Sequence, residues 1–442
     1  MPDSVYTYDQ IAEVGARPMK TILGLLALLA LAQPASAALK PAKPASNLYY
    51  SVGVNIHPSW FTSVWGSANW QTPLIELGVK HTRSLLGADP RVIAAMQPLF
   101  AAGIKHCAML HDSPTHPDKA VSQQRLNFLV SSIGAQNIDC VEGPNELNGK
   151  ITDWAKVLRD YSAWMKKAVR AVPALNRAKL VAPSLIGFNT TDYSAVGNLD
   201  AYVGRSNLHS YPAGREPSVD FLNAIPAARI ITPEPIWATE FGYRVPDSSD
   251  PLSKWVVTER AAAKYTLRAL FDMLAAGFDR TYVYSLLNDD HKKQNMGLLT
   301  TDLRKRPAYH ALKNLMALFA DKKGPTPTDL DYTITGHNAS TKQHLFQRSD
   351  GSHLLVLYQD VLSYNRTTFQ DIEPAPVNVT ITLPASASFA VYQPTFGAEA
   401  LWLLAAHSGP GATQSATGTQ IIIPVRDHVA VVKVSRGQSD GF

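Results

Sequence analysis

The chain has 442 residues, of which 45% are hydrophobic and 17% charged, and its formal net charge is +5. This length exceeds the ~250 to 300 residues at which one hydrophobic core stops growing, so we expect one large domain and one smaller domain. The composition is that of a folded globular protein and excludes extensive disorder. No basic run interleaved with aromatic residues accompanies the small positive charge, so no nucleic-acid partner is predicted.

Residues 1–37 have the pattern of a targeting segment. A charged start at Met19-Lys20 is followed by an apolar stretch that ends in Ala35-Ser36-Ala37, which is the order of regions in a secretory signal peptide. The pattern predicts a secreted or periplasmic protein whose mature chain begins at Ala38, and it attributes the polar residues 1–18 to an upstream start codon. The apolar part is too short for a membrane span, and no later run reaches that length.

From about residue 50 the sequence alternates short apolar strands with stretches of helical periodicity. The eight predicted strands are YSVGVNI, VKHTRSLL, IKHCAML, IDCVEG, KLVAPSL, RSNLHSY, PIWATEF and RTYVYSLL. Apolar residues recur at intervals of three and four in the stretches DWAKVLRDYSAWMKKAVRAV and TERAAAKYTLRALFDMLAAG, and PAYHALKNLMALF begins with a proline suited to a first helical turn. Eight strand–helix units over roughly 270 residues predict an α/β fold, a (β/α)8 barrel spanning residues 38–320.

After the barrel the composition changes. Residues 321–328, within the run DKKGPTPTD, contain one Gly, two Pro and two Lys and are predicted to be a linker. Beyond it, VNVTITLP alternates apolar with polar residues, and SHLLVLYQD, SFAVYQP, TQIIIPV and HVAVVKVS read as further short strands. Alternating strands between turns predict an antiparallel β-sandwich over residues 329–442. Bracing the barrel is the expected role of this sandwich, because its strands show no exposed aromatic row.

The two cysteines, Cys107 and Cys140, are too few for a disulfide framework. They fall in neighbouring predicted strands, which favours two buried thiols over a bridge. A disulfide stays open as an alternative, because an exported protein folds in an oxidising compartment.

Active sites of parallel (β/α) barrels lie at the C-terminal ends of the strands. The ionisable and polar residues at these ends are Arg83 on strand two, Asn145 and Glu146 after strand four, His209 and Tyr211 on strand six, and Glu240 on strand seven. Two glutamates facing each other across one mouth can divide the acid and base roles. A carboxyl group in a semi-apolar pocket keeps its proton at neutral pH, whereas one beside a positive or hydrogen-bonding neighbour stays ionised.

With these residues the chain resembles the clan A glycoside hydrolases, and it is closest in appearance to family 39 and related bacterial members. The segments GPNE and ATEFGY stand where the two catalytic motifs of that clan stand, and YVYSLLNDD with the following GLLTTDLRKRPAYHALKNL looks like its strand-eight and final-helix region. The appended sandwich matches as well. The resemblance implies a secreted retaining hydrolase of β-glycosidic bonds in an oligo- or polysaccharide.

The resemblance also implies a role for each residue. Glu146 would be the general acid/base, Glu240 the nucleophile and Asn145 the donor to the sugar 2-hydroxyl. The residues expected to support the glutamates or bind sugar are Arg83, His209, Tyr211, His57 and Tyr284. Tyr284 stands where many clan members have a tryptophan. No metal and no cofactor are implied.

Three tryptophans lie in the loop HPSWFTSVWGSANW after strand one. Aromatic faces stack on the apolar faces of pyranose rings, so Trp60 and Trp65 are predicted to bind substrate. Trp70 begins a helix, which favours packing.

Each candidate residue also has a structural interpretation. Asn145 could be a helix N-cap with Glu146 in the first turn, Glu240 could be an ion-pair partner of Arg83, and His209 could be a packed, hydrogen-bonded histidine. At the level of function, a barrel that holds polysaccharide without cutting it and a transglycosylase using the same glutamates both remain open. The sequence names neither the sugar nor the linkage.

Other chemistries have less support in the sequence. It contains no G-x-S-x-G elbow, no H-E-x-x-H, no Walker loop and no G-x-G-x-x-G after the first strand. His106, His111 and His116 are spaced by five residues, which puts no two of them on one helical face. A metal site is therefore not predicted.

Overall fold

The computed structural model describes residues 38–247, 251–288, 295–322, 324, 326–395, 412–415 and 418–436. The predicted signal peptide lies outside this range. The chain begins with two short strands, β1 (Ala38–Lys40) and β2 (Lys43–Pro44), whose partners lie far away in the sequence.

Eight parallel strands follow and form the barrel. They are β3 (Val52–Asn55), β4 (His81–Leu85), β5 (Lys105–Met109), β6 (Ile138–Glu142), β7 (Lys179–Val181), β8 (Ser206–Ser210), β9 (Ile236–Phe241) and β10 (Phe278–Val283). They correspond one by one to the eight strands predicted from the sequence. Each pairs with its neighbour from β3 to β7 and from β8 to β10, β10 pairs with β3, and a bridge between Val181 and Arg205 closes β7 against β8.

Helices alternate with these strands. The α-helices are α1 (Ala45–Tyr49), α2 (Val64–Ser67), α3 (Gln71–Leu77), α4 (Pro90–Ala101), α5 (Lys119–Phe128), α6 (Trp154–Arg170), α7 (Thr190–Val196), α8 (Pro217–Ile231), α9 (Glu259–Ala275) and α10 (Pro307–Phe319). Helix α6 shows why the pattern works: it buries Leu158, Tyr161, Met165 and Val169 along one face. The (β/α)8 fold class is confirmed.

The sandwich consists of two five-stranded sheets. Its C-terminal strands are β11 (Leu330–Thr335), β12 (Thr341–Gln347), β13 (His353–Gln359), β16 (Val377–Leu383), β17 (Ala387–Tyr392), β18 (Ala412–Ser415), β19 (Gly418–Val425) and β20 (Ala430–Arg436), and a separate hairpin joins β14 (Tyr364–Asn365) to β15 (Gln370–Asp371). The predicted alternation holds in β16, where Val379, Ile381 and Leu383 are buried.

The two N-terminal strands belong to the sandwich, although the sequence prediction assigned residues 38–44 to the barrel. Strand β1 pairs antiparallel with β11, and β2 pairs parallel with β12. No helix separates β1 from β2, so this segment does not follow the strand–helix repeat of the barrel. Each sheet of the sandwich thus takes one edge strand from the start of the described chain.

The prediction of two buried thiols was wrong: Cys107 and Cys140 form a disulfide, with their Cα atoms 4.4 Å apart. The two residues are register partners on the adjacent parallel strands β5 and β6. Together with Val181, Trp237 and Tyr282 they form a cluster to which five barrel strands contribute, which places the bridge in the barrel interior. Register partners point the same way, and this is why the two sulfurs meet.

Buried charges join the barrel to the sandwich. Lys264 and Arg268 on α9 are completely buried. Lys264 Nζ lies 2.8 Å from Asp427 Oδ2, and Arg268 Nη2 lies 2.6 Å from Asp360 Oδ1. Both acidic partners are sandwich residues, so the two parts share a specific polar interface. Within the described residues, no helix combines the length and apolar character needed to cross a membrane.

Candidate active site

The residue that follows β6, Gly143, packs closely against the segment after β7. A Cβ atom on Gly143 would lie 2.8 Å from Pro183 Cγ and 2.9 Å from Pro183 N, so only glycine fits beside the segment that follows β7. Asn145 then forms a bridge with Ser184, and Glu146 N donates to Ser184 O at 3.1 Å. Glu146 has φ 50°, a left-handed conformation that is uncommon for a side-chain-bearing residue and concentrates at functional sites.

This geometry contradicts the N-cap interpretation of Asn145. No helix starts at Asn145, since α6 begins at Trp154. Asn145 instead continues the pairing of β6 through its parallel bridge to Ser184, and the left-handed Glu146 follows it at the mouth of the barrel.

The two predicted catalytic glutamates lie together. His209 Nδ1 is 2.7 Å from Glu146 Oε1 and 3.4 Å from Glu240 Oε2. Oxygen atoms of the two carboxylates and the histidine nitrogen all lie within 4.8 Å of one another. Glu146 is the more accessible of the two, with its side chain 24% exposed against 10% for Glu240. One buried and one accessible carboxylate therefore share one mouth.

Glu240 is surrounded by donors. Arg83 Nη1 donates to Glu240 Oε1 at 2.7 Å, and Tyr211 Oη donates to Glu240 Oε2 in a short hydrogen bond. Burial alone would raise the pKa of Glu240, but the charges of His209 and Arg83 and the bond from Tyr211 lower it to about 2. The ion pair with Arg83 offered as a structural interpretation is real, and it keeps Glu240 ionised beside Glu146.

Arg83 also binds a carboxylate that the sequence analysis missed. Its Nε and Nη2 donate to Glu142 at 2.6 and 2.8 Å, and Arg83 and Glu142 are both essentially inaccessible. Nη1 further donates to Asn55 at 2.9 Å, and Nη2 to Asn145 at 3.0 Å. Burial would lower the pKa of Arg83, but Glu142 and Glu240 raise it well above its ordinary value.

His209 is held from its other side as well. Its Nε2 is 3.1 Å from Thr239 Oγ1, Thr239 Oγ1 is 2.8 Å from Asn207 Oδ1, and Asn207 Nδ2 donates to Glu142 at 3.0 Å. Burial would lower the pKa of His209, but Glu240 and the bond to Glu146 raise it above its ordinary value. His209 is thus buried and hydrogen-bonded, as its structural interpretation requires, and its partners include both glutamates.

Glu142, Asn55, Asn207 and Thr239 were not among the predicted site residues. A sequence signal exists for Glu142, Asn55 and Thr239, which are polar residues inside largely apolar strand segments, as in the E of IDCVEG and the N of YSVGVNI. Unpaired polar groups are costly inside a barrel, so such residues point to a buried network.

Predicted aromatic residues occupy the side of the mouth opposite β6. His57 stacks on Trp60, with ring centroids 3.8 Å apart and planes 4° apart, and its edge meets Tyr284 at 5.6 Å. Tyr284 in turn meets Tyr211 edge-on at 6.2 Å. These four rings therefore form one row that ends at the Tyr211–Glu240 bond.

Trp65, which is also predicted to bind substrate, is less accessible than Trp60. Its side chain is buried, packs edge-on against both His57 and Trp70, and presents no face to the mouth. Ser63 caps the short helix α2 by accepting from Trp65 N, which turns this ring inward. Trp70 is fully buried, as the packing interpretation expected.

One group of side chains at the mouth has the convergence that a metal site requires. Within the described residues, Glu146, His209 and Glu240 are the group whose atoms converge closely enough to hold an ion. However, both oxygens of Glu240 already accept from Arg83 and Tyr211, and a cation there would lie beside the buried guanidinium. His106, His111 and His116 do not converge: His106 contacts Thr82, His111 two backbone carbonyls, and His116 pairs with Asp153. This donor set does not fit a resident metal.

Comparison with known proteins gives matches only in three dimensions. No protein-family model and no curated protein sequence matches the chain. A family 39 glycoside hydrolase from Bacteroides cellulosilyticus WH2 matches with a TM-score of 0.56 at 15% identity, over 89% of this chain and 83% of that one. A glucosidase from Croceicoccus marinus matches with a TM-score of 0.61 at 13% identity, over 90% of this chain and 97% of that one.

A family 51 arabinofuranosidase from Xanthomonas axonopodis pv. citri also matches, with a TM-score of 0.53 at 12% identity, over 90% of this chain and 99% of that one. At these identities the similarity is one of fold. The resemblance stated from the sequence is confirmed at that level: the chain shares its fold with solved structures of glycoside hydrolases, including a family 39 member.

Proposed function

We propose that the protein is an exported retaining glycosidase that cleaves β-glycosidic bonds of an oligo- or polysaccharide. The observation that carries the proposal is the pair Glu146 and Glu240: one carboxylate oxygen of each lies within 4.8 Å of the other at the mouth of the barrel. Retaining enzymes hold the two carboxyl groups about 5 to 5.5 Å apart, whereas inverting enzymes need about 6.5 to 9.5 Å to admit a water. The fold shared with glycoside hydrolases supports the same proposal.

The surroundings of the two glutamates support their roles. Glu240 accepts from Arg83 and Tyr211 and has a lowered pKa, which suits a nucleophile that must be ionised. Glu146 is more exposed and faces His209. A group that first gives a proton to a leaving oxygen and then takes one from water needs this access.

In the first step an oxygen of Glu240 forms a bond to the anomeric carbon. The bond from that carbon to the leaving oxygen breaks, and Glu146 transfers its proton to the leaving oxygen. In the second step a water molecule gives a proton to Glu146, its oxygen bonds to the anomeric carbon, and the ester to Glu240 breaks. Two inversions at one carbon retain its configuration.

The remaining residues bind and orient in this proposal. Asn145 is held by Arg83 and by Ser184 Oγ at 3.0 Å, next to Glu146, where it can meet the sugar 2-hydroxyl. Trp60 and Tyr284 line the aromatic side of the mouth. Export is proposed from the signal-peptide pattern of residues 1–37 alone.

The test is a panel of aryl β-glycosides and β-linked polysaccharides, assayed with the wild type, Glu240→Ala and Glu234→Ala. Glu234 is a matched control, because its side chain is half exposed and its ion pair with Arg205 is remote from the mouth. We expect activity in the wild type and the control and its loss in Glu240→Ala. Proton NMR of the first product should show the β-anomer.

Each other outcome contradicts a definite part of the proposal. Saccharide binding without new reducing ends from any substrate would indicate a binding barrel. Longer products at high substrate concentration would indicate a transglycosylase, and an α-anomer as first product would exclude retention.

A further inference from the structure

Two loops follow the strands that carry the contacts of Glu240. The first, residues 211–216, begins with Tyr211, and the second, described here over residues 242–247 and 251–258, follows β9. They pack on each other: Tyr243 Oη donates to Arg215 O at 2.9 Å. Gly214 has φ 80°, and a Cβ atom there would lie 3.1 Å from Lys254 O. Displacement of the second loop would therefore move the first.

Residues 363–371 of the sandwich domain, which we call the bracing hairpin, contact the second loop and approach the first, where a Cβ atom on Gly214 would lie 3.3 Å from Arg366 Cγ. Tyr364 Oη lies 2.9 Å from Ser253 O and 3.0 Å from Val256 O. Arg366 Nε donates to Lys254 O at 3.2 Å. Tyr364 is fully buried, although it is a sandwich residue, because the barrel loop covers it.

A second connection runs through α9. The backbone N of Ser363 in the bracing hairpin donates to Tyr265 Oη at 2.8 Å. Tyr265 stacks on Tyr243 with ring centroids 5.0 Å apart, and Tyr243 meets Phe241, the residue after Glu240, edge-on at 5.7 Å. Both connections run from the hairpin to the residues that flank Glu240 and Tyr211.

We infer that the bracing hairpin is a positioning element of the active site: it fixes the two loops so that Tyr211 keeps its hydrogen bond to Glu240. Tyr364 is the main positioning residue, and it acts through the second loop without touching the reacting atoms. The sandwich thus contributes to the chemistry of the barrel as well as to its stability. The kinetic part of this inference rests on the proposed function.

The test uses Tyr364→Phe, which removes one hydroxyl and keeps the ring, and Tyr332→Phe as matched control. Tyr332 is a sandwich tyrosine whose hydroxyl donates to Gln343 at 3.0 Å, within the sandwich. Hydrogen exchange followed by mass spectrometry should show faster exchange of residues 211–216 and 252–258 in Tyr364→Phe only. This readout needs no substrate, so it decides the structural part even if the wild type cleaves none of the glycans.

The kinetic readout follows from the hydrogen bond to Glu240. A bond donated to the ionised form lowers a pKa, so its loss should move the acid limb of kcat/KM upward, by about one pH unit. We expect this shift in Tyr364→Phe, together with a loss of about tenfold in kcat. The other groups facing Glu240, which are Arg83, His209 and Glu146, are unchanged in this variant.

A double variant tests whether Tyr364 acts on Glu240 through Tyr211. If the hairpin acts through Tyr211, adding Tyr364→Phe to Tyr211→Phe should shift the acid limb no further. Additive shifts, equal losses in Tyr364→Phe and Tyr332→Phe, or a wild-type profile in soluble Tyr364→Phe would each overturn the inference. If Tyr364→Phe is insoluble, Arg366→Ala, which removes only the bond to Lys254 O, is measured against the same criteria.

Discussion

Arg83 and Glu142 form a two-point ion pair inside the barrel, with Nε and Nη2 of the guanidinium 2.6 and 2.8 Å from the two carboxylate oxygens. The remaining nitrogen, Nη1, donates to Glu240. One buried cation is therefore shared by a structural carboxylate and the proposed nucleophile. Glu142 orients Arg83, and Arg83 holds Glu240 ionised.

The first prediction concerns this ion pair. Replacing one partner of a buried pair costs about 3 to 5 kcal/mol when the other charge is left without a partner, and Arg83 keeps Glu240, so the lower end of this range applies. We expect Glu142→Gln to lower the free energy of unfolding by about 3 kcal/mol, measured by urea denaturation, because the amide keeps the shape but not the charge. Glu234→Gln, at a half-exposed ion pair, should cost less than about 1 kcal/mol. An equal loss in free energy of unfolding in the two variants would show that Glu142 stabilises the fold no more than a half-exposed ion pair does.

The second prediction separates the two glutamates by product stereochemistry. Glu146→Ala should still form the glycosyl intermediate from an activated dinitrophenyl β-glycoside, and added azide should then attack it to give the β-glycosyl azide. Glu240→Ala cannot form that intermediate, so azide in its place should give the α-azide. Anomeric coupling constants from proton NMR identify the products. The reverse pairing of variants and azides would exchange the assigned roles.

The third prediction concerns pH and the interface between α9 and the sandwich. Burial raises the pKa of Asp272 to about 6, although Tyr358 donates to one of its oxygens. Because the folded-state pKa lies above the unfolded one, the native state binds more protons, and stability falls as the pH rises from about 4 to about 6. Asp272→Asn should remove this loss. At pH 7 we expect its free energy of unfolding to exceed that of the wild type by about 1 to 2 kcal/mol, measured by urea denaturation.

Two measurements check this prediction. Denaturation at pH 4 and pH 7 should show the difference between Asp272→Asn and the wild type only at the higher pH. The exposed Asp329→Asn serves as control and should follow the wild type at both values. A wild type whose stability does not change between pH 4 and pH 6 would contradict the assignment.

The fourth prediction concerns the bridge between Cys107 and Cys140. A thiol reagent should find no free thiol in the denatured, unreduced protein. The bridge joins residues separated by 33 positions. A disulfide that closes a loop of this size stabilises the folded state by about 3 to 4 kcal/mol. Cys107→Ala with Cys140→Ala should therefore lower the unfolding midpoint. Titration of two thiols would restore the original expectation for this pair.

Much of the fold could be predicted because eight short strand segments alternate with stretches of helical periodicity, and the position of Glu146 and Glu240 near strand ends then followed from the barrel itself. Glu142 could not be found in that way, because its importance depends on Arg83 pointing inward from β4 at the same level. The burial of Trp65 could not be predicted either, because its contacts with His57 and Trp70 depend on how the loop folds rather than on residue type.

The disulfide shows the same limit. Neighbouring strands were predicted for both cysteines, but whether the sulfurs meet depends on register, and a shift of one residue would have turned the side chains to opposite faces. The contacts of the bracing hairpin join residues more than 100 positions apart, as between Tyr364 and Val256. Such contacts depend on the tertiary structure, and no local sequence pattern predicts them.

The two N-terminal strands have a consequence for how the sandwich can be used. Because β1 covers an edge of β11 and β2 covers an edge of β12, residues 329–442 alone would expose one open edge on each sheet. Open edges are templates for pairing with other chains. A fragment intended to carry the sandwich should therefore include residues 38–44, which pair with β11 and β12 in the whole chain.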